Sequence, residues 1–63
     1  MQKNARQYTQ DATTELKQAI ECLQSALETV EKPQNHERIE QALQACQTAY
    51  NQTNQAAGIL GQE

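Results

Sequence analysis

The stretch that decides the fold is IEQALQACQTAYNQTNQAAGIL, residues Ile39 to Leu60. Within it Ile39, Leu43, Cys46, Tyr50, Thr53, Ala57 and Leu60 step by 4, 3, 4, 3, 4, 3, the spacing that puts an apolar seam along one side of a helix. Ala42, Ala49 and Ala56 repeat every seven residues beside that seam and widen it to a band. A helix so marked has to pair with another.

The partner lies upstream. Ala12, Leu16, Ala19, Leu23, Ala26 and Val30 carry the same 4 and 3 alternation, with Ile20 and Leu27 flanking it. Between the two runs stands Lys32-Pro33, where the proline ring disfavours helix at the preceding residue and no amide hydrogen continues the ladder. Asn35 is a candidate cap for the second helix, giving a link of about four residues, and a link that short turns the chain back on itself. Asp11 or Thr9 is the candidate cap of the first helix, and Gly58 its counterpart at the end of the second, as a left-handed terminating residue. The expected fold is all-α, an antiparallel hairpin of helices over about 11–31 and 36–57. Residues 1–10 are expected as a frayed or flexible arm and 58–63 as a tail, from which Ile59 and Leu60 fold back.

Register can be read from the same rows. When level residues have numbers adding to 69, Val30 meets Ile39, Ala26 meets Leu43, Leu23 meets Cys46, Ala19 meets Tyr50, Leu16 meets Thr53 and Ala12 meets Ala57. Two of those layers set a small side chain against a large one. The flanks fall differently: Ile20 and Leu27 lie on the e side of the first helix, and Ala42, Ala49 and Ala56 on the g side of the second. In an antiparallel pair e meets e and g meets g, so neither flank covers the other. These five residues are the expected interaction face, and the simplest partner is a second copy, forming a dimeric four-helix bundle.

Composition narrows the functions. The 63 residues carry a net charge of −3, with Lys3, Arg6, Lys17, Lys32 and Arg38 scattered, whereas a nucleic-acid binder needs a basic face. No apolar run of membrane-spanning length occurs and the Met1 end has no apolar signal segment. With only Cys22 and Cys46, reduced thiols in a cytoplasmic protein are expected, with Cys46 packed as a small apolar side chain in the seam and no Cys22–Cys46 disulfide. His36, the one histidine, and Ser25, the one serine, have no partner at catalytic spacing, and no Cys-x-x-Cys or His-x-x-x-His occurs. Glu21, Glu28, Glu31, Glu37 and Glu40 give the turn end an acidic, solvated face, with Glu28 and Lys32 spaced as a helix pair. The expectation is therefore no enzyme, no cofactor and no metal, but a protein–protein interaction or regulatory module acting as a homo-oligomer, with an unidentified protein as a further partner. The alternative is a bundle that sequesters a small molecule between copies, its cavity lined by Cys46, Tyr50 and Thr53.

Overall fold

A computed structural model describes residues 3–61 and folds them as two helices packed on each other, α1 over Ala5–Thr29 and α2 over Pro33–Leu60. The hairpin is therefore all-helical, and both helices run longer than the expected spans. At the front, Asn4 caps α1 through its side chain, which accepts from Gln7 N–H at 2.9 Å, while the Gln7 side chain accepts from Asn4 N–H at 2.9 Å. That reciprocal pair satisfies two of the amides a helix start leaves open, so Ala5 to Gln10 are helical and not an arm. The expected caps are occupied otherwise: the Thr9 hydroxyl donates to the Ala5 carbonyl at 2.8 Å, and Asp11 pairs with Lys3.

Proline acts on both sides of the turn. α1 ends at Thr29, where Val30 turns extended and its N–H still reaches the Ala26 carbonyl. Lys32 is the N-cap of α2 with an extended backbone (φ −89°, ψ 131°), as the residue before proline must be. Pro33 then opens α2, where its fixed φ suits the first turn and its missing N–H is not required. Asn35 consequently sits inside the helix, and the link shortens to Val30–Lys32. Gly58 is not the terminator either. It lies within α2, which runs on to a right-handed Gly61 (φ −68°, ψ −15°), and no described residue has a positive φ. Of the expected tail, Leu60 is half-buried and Ile59 is 66% exposed, so only Leu60 turns inward.

The seam lies where its period puts it. Ala12, Leu16, Ala19, Leu23, Ala26 and Val30 of the first run, and Ile39, Leu43, Cys46, Tyr50, Thr53 and Leu60 of the second, are all half-buried, and Ala57 is buried at 9% exposure. The register differs from the expected one. The hydroxyls of Thr13 and Thr53 are hydrogen-bonded, a pair whose numbers add to 66 and not 69, which slides the helices by about 4.5 Å at the α-helical rise. Arg6 against Gly61 departs in the same direction.

The result is a single layer. The molecule measures 47 × 21 × 12 Å, so its thinnest dimension is one helix diameter. Its radius of gyration is 14.6 Å, against about 10.6 Å for a compact chain of this length.

Candidate interaction faces

The hairpin has two broad faces, and a groove identifies which flank belongs to which. About 400 Å³ in volume, it lies at the open end, lined by Arg6, Gln10, Thr13 and Thr14 of α1 and by Asn54, Ala57 and Gly58 of α2. Arg6 and Thr13 stand seven apart on one column of α1, and the next members of that column are Ile20 and Leu27. Ile20 and Leu27 therefore share the grooved face. Both are half-buried, because the hairpin's own packing already covers part of each side chain.

Ala42, Ala49 and Ala56 lie on the opposite face of the hairpin. Ala49 is half-buried and the other two are exposed. The five expected contact residues are thus not one surface. Two exposed large hydrophobic residues join the alanine side: Tyr8, 60% exposed, from the column of α1 that also carries Cys22, and Ile59, one turn beyond Ala56 on α2. Neither is marked by the sequence period: Tyr8 stands in a polar segment expected as an arm, and Ile59 follows Gly58 in the expected tail.

The groove is polar and largely self-contained. Thr13 Oγ1 lies 2.9 Å from both the Thr9 carbonyl and Thr53 Oγ1, and the Thr14 hydroxyl donates to the Gln10 carbonyl at 3.2 Å. Thr53 in turn donates to the Tyr50 carbonyl at 3.1 Å. A second recess of about 300 Å³ lies beyond it around Asn4, Ala5, Leu60 and Gly61, with Arg6 on the border of both. Cys46 and Tyr50 line neither recess, and a Cβ placed on Gly61 would meet Arg6 Nε at 3.1 Å.

The remaining chemically able side chains stay apart. Cys22 is exposed, Cys46 half-buried, and both are free thiols. His36 is exposed at the start of α2 with its Nδ1 4.0 Å from Glu40 Oε1, one turn along the helix. Lys32, outside α1, does not pair with Glu28; among the described residues the lysine–carboxylate pair is Lys3–Asp11. Among the described residues no three of His, Cys, Asp and Glu come together, and no helix is long and apolar enough to cross a membrane. Compared with protein-family models, curated proteins and solved structures, the chain matches none.

Proposed function

We propose that this protein is a protein–protein interaction or regulatory module that works as a homodimer, two hairpins joining into a four-helix bundle. The observation that carries the reading is how little the single layer encloses: Ala57 is the only buried hydrophobic residue among those described. Leucine and isoleucine side chains each gain roughly 1.5 to 3 kcal/mol on full burial, and here none is fully buried and Ile59 is exposed. A second layer would supply what is missing, with Ile20 and Leu27 or Ala42, Ala49 and Ala56 as its contact positions. In this reading the protein acts in the cytoplasm, where Cys22 and Cys46 stay reduced.

Thermal unfolding at a series of protein concentrations tests it. For a dimer that folds as it assembles, the midpoint rises with concentration by mass action, whereas a folded monomer keeps one midpoint throughout. A midpoint that ignored protein concentration and rose only with an added metabolite would favour the ligand-sequestering bundle instead.

A further inference from the structure

α2 carries a second heptad row. Ala42, Ala45, Ala49, Gln52, Ala56 and Ile59 step by 3, 4, 3, 4, 3, about 100° around the helix from the seam, on the side away from the groove. All but Ala49 are exposed, and Ile59 is the most exposed large hydrophobic residue described. The corresponding positions of α1 read Tyr8, Asp11, Glu15, Gln18, Cys22, Ser25 and Thr29, which is mostly polar, so the row has no match within its own hairpin. We propose that α2 pairs with α2 of a second copy, antiparallel about a two-fold axis between Tyr50 and Asn51, with Ile59 of each chain packed on the partner's Ala42. This rests on the homodimer reading above and selects the face it uses.

Three features of the molecule carry the assignment. The first is area. The chain exposes 5061 Å², about 1,000 Å² more than the roughly 4,100 Å² that surface scaling gives a compact monomer of its mass. A standard interface removes about 800 Å² from each partner, so one such contact accounts for most of the excess. The second is size complementarity. Antiparallel pairing with numbers adding to 101 sets Ile59 on the partner's Ala42, Ala56 on the partner's Ala45 and Gln52 on the partner's Ala49. Parallel pairing would stack Ile59 on its own copy at one end and leave alanine facing alanine at the other, and the helices would splay. The third is polarity. Gln52, the one polar member of the row, falls near the axis, where two carboxamides can donate to and accept from each other and a single polar layer fixes register.

Cross-linking tests the geometry on a Cys22→Ser, Cys46→Ala background with a short bis-maleimide. Ala49→Cys should cross-link to itself. Ala45→Cys alone should not, since the two copies of that position stand about 16 Å apart along the axis, and neither should Ala56→Cys alone, but the two refolded together should. Self-linking by Ala45→Cys would overturn the antiparallel order, and linking by Gln47→Cys without Ala49→Cys would put the contact on the opposite face. A second variant needs no cysteine: Ile59→Glu, at an exposed site, should weaken dimerisation roughly tenfold or more while the hairpin keeps its helicity. An unchanged dimer dissociation constant in Ile59→Glu would also overturn the proposal. If the unmodified chain is dimeric and Ala49→Cys does not link, this face alone is wrong; if the chain is a monomer throughout, the homodimer reading falls with it.

Discussion

Thr13 and Thr53 are joined by a side-chain hydrogen bond of 2.9 Å between α1 and α2. It continues from Thr53 to the Tyr50 carbonyl at 3.1 Å, so a short polar chain is built into an otherwise apolar seam. Each hydroxyl is part-buried, and an isosteric valine in place of one removes the cross-helix bond while the other hydroxyl keeps a backbone carbonyl, that of Thr9 for Thr13 and of Tyr50 for Thr53. Thr13→Val and Thr53→Val should each cost about 0.5 to 1.5 kcal/mol, while the double variant should cost less than their sum because the one bond they share is lost only once. Denaturant unfolding of the four proteins measures this, and additive losses would show that the bond carries no coupling.

The capping box at the head of α1 predicts a stability effect far from the turn. Asn4→Ala removes the acceptor for Gln7 N–H and should lower stability by about 1 kcal/mol. In a domain of this size that is a fall of roughly 4 to 8 °C in the unfolding midpoint. If residues 5–10 were an arm, the substitution would change nothing.

Gly58 offers the opposite sign. Its φ is not positive, it lies inside α2, and a Cβ there meets nothing within 4 Å. Gly58→Ala should stabilise the protein by up to about 1 kcal/mol, read as a rise in midpoint. A left-handed terminating glycine at this position would instead make alanine destabilising.

What was legible in the sequence is what periodicity carries. Every seam residue from Ala12 to Val30 and from Ile39 to Leu60 is at least half-buried, because one face of a helix is set by spacing alone. The helix ends were less legible. Asn4 and Gln7 form a capping signature with no apolar period behind it, and the ring of Pro33 both stops one helix and starts the next. Register is not legible from apolar volume, because the cross-helix side-chain hydrogen bond among the described residues joins two threonines, of which Thr13 stands outside the seam. Of the candidate contact residues, spacing alone carries no sign that Ile20 and Leu27 are partly covered by the hairpin while Ala42 and Ala56 are open.

The two thiols differ in accessibility. Cys22 is exposed on α1 and Cys46 sits half-buried in the seam, so under native conditions a thiol reagent should label Cys22 first and Cys46 more slowly, with denaturant equalising them. Mass spectrometry after partial labelling reads the order. Equal native rates would mean that the seam opens readily around Cys46.

The central claim is that one layer of two helices is half of a folded unit. Light scattering across a range of protein concentrations, with and without reductant, tests it most directly. A mass of twice 7.1 kDa is expected at the higher concentrations, unchanged by reductant because neither thiol makes the contact. A fully helical chain that stayed at 7.1 kDa at every concentration would contradict it.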